Sequence, residues 1–444
     1  MAGKTFRKWD VGQAWLLPPS VQQLVPKGHL SHFLRELVRE DLDLSEILDS
    51  YQEERGYPPF HPVMMTALLL YGYCQGIYSS RRLARACEER VDFMAVTALQ
   101  TPDFRTIARF RKRHLTALSG LFVQVLGLCQ KAGLVKMGHV ALDGTKIQAN
   151  ASKHKAMSYG RMKSVEPRLA AEVEKWLKNA EEIDAREDEE FGADRRGDEL
   201  PSWVTDKKKR LEKIRKAKAE LEAEARAEAE EKAQERPPSS GKRRGRKPKN
   251  PPGTPADKAQ KNFTDPESRI MKTGNGYIQA YNGQAAVDAD SQVIVAQSLE
   301  ARQNDHDELP WILRQIKSNT GRQAKELSAD ANYCSEANLK ELSRRHVKAY
   351  LATGRQKHGT SSATGAPRAQ LNGRVAEMRQ RLRQGGHRSR YRLRKHTVEP
   401  VFGQIKEARG FRRFLLRGLE QVRGEWSLLC TVHNLLKLAA VSKA

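Results

Sequence analysis

VALDGTKIQAN, residues 140–150, carries Asp143 at the end of a short apolar run and directly before a glycine. Val140, Ala141 and Leu142 have the length and character of a buried strand, and Asp143 stands where such a strand ends. Two further strings repeat the theme. ELSADANYCS (326–335) ends a second strand-like run on Asp330, and HTVEPVFGQIK (396–406) puts Glu399 at the opening of an amphipathic helix. Strand ends and helix starts can converge on one point. Carboxylates from three separate segments are the hard oxygen donors that two divalent ions need in order to clamp the attacking and leaving oxygens of a phosphodiester.

The charge balance fits a polyanion. The 444 residues include 79 Lys and Arg against 54 Asp and Glu, a formal net charge of +25, and the excess is spread over both halves. Nucleic acid is the first expectation, although ribosomal and membrane-surface proteins share such a balance. The five cysteines, Cys74, Cys87, Cys129, Cys334 and Cys430, form no CxxC pair and have no histidine at zinc spacing, so they read as inert thiols in a reducing compartment. The N-terminal stretch MAGKTFRKWDVGQAWLLPPS lacks the apolar core of a signal peptide. The longest apolar stretch, VMMTALLLYGY (63–73), is too short to span a bilayer. A soluble cytoplasmic protein with no membrane partner is expected.

Residues 28 to about 135 read as helical. HLSHFLRELVRED, MMTALLLYGYCQG, SSRRLARACEER and TALSGLFVQVLGLCQKAG carry apolar residues at three- and four-residue spacing. TPDFRTIARFRKRH (101–114) offers Thr101 as an N-cap and Pro102 at the first helical position, followed by Arg105, Arg109, Arg111, Lys112 and Arg113 as candidate phosphate contacts. The block reads as a DNA-binding module, or as a scaffolding bundle with a solvated basic face. Beyond the Asp143 strand, residues 165–184 and 207–235 are rich in Ala, Glu, Lys, Arg and Leu and predict an antiparallel helical hairpin, in its bland reading a solvated insertion. Residues 236–262 are rich in Pro, Gly and basic residues and are expected to be disordered when free. Their core, GKRRGRKPK (241–249), with Arg243, Arg244 and Arg246, is similar to a minor-groove hook or else grips the DNA backbone without sequence preference; Lys247 separates Arg246 from Pro248 where a hook has Arg directly before Pro.

From Thr264 the pattern changes. YIQAYNGQAAVDAD and SQVIVAQSLEA predict a β-hairpin turning at 288–291, ELPWILRQIKS a helix, KELSAD a strand, SEANLKELSRRH a helix capped by Ser335, and VKAYLAT a strand. Residues 354–386 read as basic, polar and mobile, and two helices finish the chain. This order of strand, excursion, hairpin, then alternating helix and strand with a closing helix is that of an RNase H-like α/β domain. The expected organisation is a helical N-terminal DNA-binding domain (1–135), the first catalytic strand (136–160), an inserted charged hairpin with a basic linker (161–262), and the rest of the catalytic domain (263–444).

Thr397 is a good N-cap and Pro400 falls in the first turn, which would set Glu399 beside the positive end of the helix dipole. Lys406, seven residues on, returns to the same helical face and could reach a phosphate. Each acid also has a plainer reading: Asp143 and Asp330 as turn aspartates, Glu399 as a dipole partner. Asp288 and Asp290 read as turn formers, Asp305 or Asp307 as a helix cap, and His433 with Asn434 as a buried hydrogen-bonded pair.

Long strings resemble a known family. FHPVMMTALLLYGYCQGIYSSRRLARAC and PDFRTIARFRKRH resemble the InsH-like N-terminal domain of bacterial insertion-sequence DDE transposases, particularly the group around the eleven-eighty-two insertion sequences. VALDGTKIQANAS, NFTDPESRIMKTGNGYIQAYNGQAAVD, SADANYC and VEPVFGQIKEARGFRRFLLRGLEQVRGEWSLLCTVHNLLKL resemble that family's catalytic domain. The resemblance implies that Asp143, Asp330 and Glu399 are the catalytic and metal-holding triad, working with Mg²⁺ or substituting Mn²⁺. It also implies that Tyr391, Arg394 and Lys406 match the Tyr, Arg and Lys of an accompanying Tyr-Arg-Glu-Lys signature that holds DNA near the break. Four residues separate Arg394 from Glu399 where the usual pattern has three, so either Lys395 takes the Arg place or the approach to the helix is longer. The implied activity is cleavage at the element's ends and strand transfer into target DNA. The implied partners are double-stranded DNA, as terminal inverted repeats and target, and a second copy in a dimer on the bacterial nucleoid. A DNA-binding protein derived from a transposase, or a nuclease that cuts without joining, are the alternatives.

Overall fold

A computed structural model of the chain describes residues 20–52, 58–191, 202–234, 250–274, 276–301, 308–354 and 373–442. Seven helices come first: α1 (Leu30–Glu40), α2 (Ser45–Leu48), α3 (Pro62–Cys74), α4 (Ser80–Glu89), α5 (Val91–Thr97), α6 (Phe104–Arg113) and α7 (Leu115–Lys131). α3 is apolar on every side because it is buried on every side, and His61 caps it by accepting from Val63 N. α5 was not anticipated. α6 starts two residues later than expected: its N-cap is Asp103 rather than Thr101, because the Asp103 carboxylate reaches both Arg105 N and Thr106 N.

Next come β1 (His139–Gln148), β2 (Ala156–Ser158), α8 (Tyr159–Phe191), α9 (Ser202–Gln234), β3 (Gln260–Asn262), β4 (Arg269–Thr273), β5 (Gly276–Asp288) and β6 (Ile294–Glu300). α8 and α9 form the expected hairpin, both longer than predicted, with a small apolar core of their own that includes Met162, Leu169, Leu211, Ile214 and Leu221. Ion pairs from Lys207 to Glu172, and from Arg215 and Lys218 to Glu166, cross between the helices. β2 pairs with β3 and so closes the root of the insertion. The stretch expected to be disordered is therefore ordered at its C-terminal end, where β3 lies and where buried Lys261 pairs with Glu220 and Glu224 of α9. Its hook-like core, with Arg243, Arg244 and Arg246, lies outside the described residues.

The chain ends with α10 (Glu308–Thr320), β7 (Glu326–Ala329), α11 (Glu336–Arg344), β8 (Lys348–Leu351), α12 (Gly373–Gly385), α13 (Leu393–Gly403), a π-turn (Gln404–Ala408) and α14 (Leu419–Ser442). α11 is capped by Ser335, whose hydroxyl accepts from Asn338 N. α12 corrects part of the expected mobile segment. It orders because Met378 and Leu382 are buried and because the Glu336 carboxylate accepts from Arg374 N and Val375 N at its start. Asp305 and Asp307, the anticipated caps of α10, lie outside the described residues.

Six strands form one sheet. β1 is central, antiparallel to β5 on one side and parallel to β7 on the other; β7 pairs in parallel with β8, and β6 is antiparallel to β5. The order β6-β5-β1-β7-β8 is consistent with the RNase H-like expectation; β4, not anticipated, adds an antiparallel partner to the first part of β5. One continuous apolar core runs from Leu34 and Leu68 among the early helices through Val140 and Leu142 in the sheet to Trp426 and Leu435 on α14. Gly283 of β5 lets the Trp426 ring lie flat on the sheet: a Cβ there would meet it at 3.0 Å. Among the described residues no helix is long and apolar enough to cross a membrane. The five cysteines are free thiols, four of them buried.

Candidate nucleic-acid active site

β1 delivers Asp143 to one face of the sheet, level with the end of β7. The β1–β7 ladder ends at Leu142 paired with Ala329, so Asp143 and Asp330 are the next residues on adjacent parallel strands. Asp330 caps the single turn Ala331–Tyr333, accepting from Asn332 N at 2.9 Å. α13 packs across β1 and brings Arg394 and Glu399 to the same place. The Arg394 guanidinium forks between two carboxylates: Nη1 pairs with Asp143 Oδ2, and Nη2 lies 3.4 Å from Glu399 Oε1.

Burial dominates the electrostatics at Asp143, whose side chain is 17% exposed. Desolvation pushes its carboxyl up to about 7; Arg394 pulls it down, and Asp330 and Glu399 push it further up. The three acids and Arg394 thus share one field, with Glu399 the most open to solvent at 49%. The donor set is all carboxylate, which suits a hard divalent ion. Among the described residues no three such side chains are gathered closely enough to hold one, and the guanidinium stands between Asp143 and Glu399.

Several placements differ from expectation. Thr397 is buried in mid-helix and does not cap α13, which is fed directly by the turn Arg390–Arg392; Glu399 therefore sits inside the helix, away from its dipole end. Pro400, also interior, has no N–H for the carbonyl of His396, and Gln292 Nε2 donates to that carbonyl instead at 3.0 Å. Arg394, not the exposed Lys395, is the cation at the acids. Tyr391 is buried, its phenol pushed up by desolvation, with the Arg394 guanidinium 5.9 Å over its ring. Lys406 lies in the π-turn and donates to Lys146 O at 2.7 Å, three residues past Asp143, so it braces β1.

On α6, Arg105, Arg109, Lys112 and Arg113 are exposed, while Arg111 is turned inward. Its Nη1 donates to the Tyr73 hydroxyl and to Tyr78 O, which corrects its expected role as a phosphate contact. Asp288 accepts from Met137 N and Asp290 N as a turn former. His433 and Asn434 are the buried pair expected, bonded to Gln292 O and to both backbone groups of Ile294. Gln284 and Tyr333, both buried, with Gln284 on the face of the sheet opposite Asp143, were passed over; the signal was there in Asn282 and Gln284, polar at alternate positions of the buried part of β5.

Two stretches match family models. Residues 19–113 match the model described as a transposase domain (DUF772). Residues 313–439 match the one described as a transposase DDE domain, which takes in Asp330, Arg394 and Glu399. Two transposase domains in one chain support a transposase of the insertion-sequence DDE kind, and such domains imply DNA binding. Neither the curated proteins nor the solved structures compared with the chain give a match.

Proposed function

We propose that this transposase, of the eleven-eighty-two insertion-sequence group, cuts DNA at its element's ends and joins the freed 3′-hydroxyl to target DNA, with Asp143, Asp330 and Glu399 as the acids that carry both steps. The observation that supports this most is the meeting of Asp143, Glu399 and Arg394 beside Asp330, from three separate segments of the chain. With the Arg394 guanidinium turned from between Asp143 and Glu399 toward a phosphate, the three carboxylates would close on and hold Mg²⁺, or Mn²⁺ in its place, which when bound supplies a deprotonated nucleophile at neutral pH and charge neutralisation on the phosphate. Arg394 balances the acids and offers a fork suited to a phosphate oxygen. Tyr391 seats Arg394, and Lys406 sets β1 against the end of α13.

Arg105, Arg109, Lys112 and Arg113 hold the duplex backbone in this reading, with Arg243, Arg244 and Arg246 as a second grip. The RNase H-like catalytic domain spans 136–160 and 263–444 around the inserted hairpin, and a dimer holds the two ends. The test is a labelled duplex carrying the flanks of the source locus, incubated with Mg²⁺ and target plasmid. The reading expects 3′-hydroxyl ends that become joined to the plasmid, both abolished by Asp330→Asn with DNA binding retained. Cleavage without joining points to a nuclease instead, and a fully active Asp330→Asn protein rejects the acid assignment.

A further inference from the structure

Gly144 and Gln284 are paired across the β1–β5 ladder, so both face the side of the sheet opposite Asp143 and Ala285. A Cβ on Gly144 would lie 2.9 Å from Gln284 Nε2 and 3.0 Å from Asn282 Oδ1, so it is the absence of a side chain at 144 that lets the Gln284 amide lie under β1. At its other end the amide oxygen accepts from the Tyr333 hydroxyl. Tyr333 closes the turn that Asp330 caps, three residues on, and its own carbonyl accepts from Asn338 Nδ2 at 2.9 Å. Gln284 is fixed in turn through its backbone, whose carbonyl accepts from Trp426 Nε1 at 3.2 Å. Gln284 and Tyr333 are both completely buried.

We infer that Gln284 and Tyr333 are positioning residues: a strut on the far face of the sheet that fixes Asp330 relative to Asp143. Asp330 stands one residue past the end of β7, and its carboxylate caps the turn that Tyr333 closes. The position of its carboxylate depends on the turn that follows, and Tyr333 ties that turn to the strand beside Asp143. A buried amide and phenol are costly unless each satisfies the other, and an apolar pair would fill the space without fixing an orientation. Acids that share a reacting phosphate must be held to within about 0.5 Å, which is the tolerance such a strut supplies. The inference rests on the proposed roles of Asp143 and Asp330.

The experiment compares the full-length protein with Tyr333→Phe, Gln284→Met and the double variant, which remove the bond while keeping size and shape. The readouts are titration calorimetry with Mn²⁺ alone, the rate of supercoiled-plasmid nicking, and the melting temperature. Each single change is expected to slow nicking about tenfold and weaken Mn²⁺ binding severalfold, with melting within about 3 °C of the parent. The double variant should be no worse than either single, because both break one interaction. Gly144→Ala, which pushes on the amide from the other side, should give the same pattern. Tyr333→Phe within twofold of the parent in both rate and Mn²⁺ affinity overturns the strut, as does a double variant whose losses multiply. Asp143→Asn run in parallel separates the two levels: nicking that survives it rejects the acid assignment itself, whereas nicking lost in Asp143→Asn and kept in Tyr333→Phe rejects the strut alone.

Discussion

Arg394 sits where a cation is needed most, between a largely buried aspartate and a half-open glutamate. Arg394→Ala removes the cation that, together with the Gly144 N–H, pulls the Asp143 carboxyl down toward the acid range, so that carboxyl should rise further above about 7 and ionise poorly at neutral pH. Plasmid nicking should fall at least tenfold, and Arg394→Lys should recover part of it by keeping the charge without the fork; an Arg394→Ala protein of normal rate contradicts this. His433 gives a pH signature of stability. It is buried, Nε2–H donates to Gln292 O at 2.8 Å, Nδ1 accepts from Arg409, and burial together with the Arg409 charge pushes it down to about 3. A folded value below the unfolded value of about 6.5 means stability that is present above that pH and lost as pH falls toward 3, with a slope of about 1 kcal/mol per unit. His114 and His139 are lowered too and act in the same sense. Urea midpoints between pH 7 and 5 should therefore fall, and His433→Gln should flatten the fall; an unchanged slope in that variant contradicts it. The places of Asp143 and Asp330 at strand ends were legible because each follows a recognisable apolar run, whereas Glu399 was read as opening a helix that begins at Leu393. Arg111 was misread although it falls four residues after Ile107 and next to Phe110, on the stripe that faces the core. Arg394 against Lys395 could not be settled without knowing where α13 begins.

Strands β1, β5, β6, β7 and β8 were legible because apolar runs of strand length lie between clear turns. α13 was harder, because Thr397 and Pro400 are strong start signals that tertiary bonding overrides: the His396 carbonyl that Pro400 leaves unpaired finds Gln292 on a distant loop. β4 and α12 have weak local patterns and owe their order to β5 and to Glu336. The packing of α14 on the sheet supplies a test at this scale. Gly283→Ala places a methyl group 3.0 to 3.2 Å from three atoms of the Trp426 ring, and the backbone of a central strand cannot yield. It should cost about 1–3 kcal/mol in urea unfolding. A neutral effect would mean that Trp426 is free to move.

Over the whole molecule, a net charge of +25 and the exposed cations of α6 predict DNA affinity that falls steeply with salt. Replacing Arg105, Arg109 and Lys112 together by Ala should reduce the slope of log affinity against log salt by about 2–3, at an unchanged melting temperature. Arg111→Ala should instead lower the melting temperature, since it strands the Tyr73 hydroxyl and Tyr78 carbonyl that it serves. The reverse pattern contradicts the assigned faces of α6. The continuity of the core from the early helices into α14 was not legible, because apolar periodicity identifies a buried face without naming what covers it.

The most direct test of the central claim is nicking of supercoiled plasmid with Mg²⁺ or Mn²⁺ by the parent protein and Glu399→Gln purified in parallel. The account predicts metal-dependent nicking by the parent, lost in Glu399→Gln while both proteins bind DNA equally. Equal nicking by the two would contradict it.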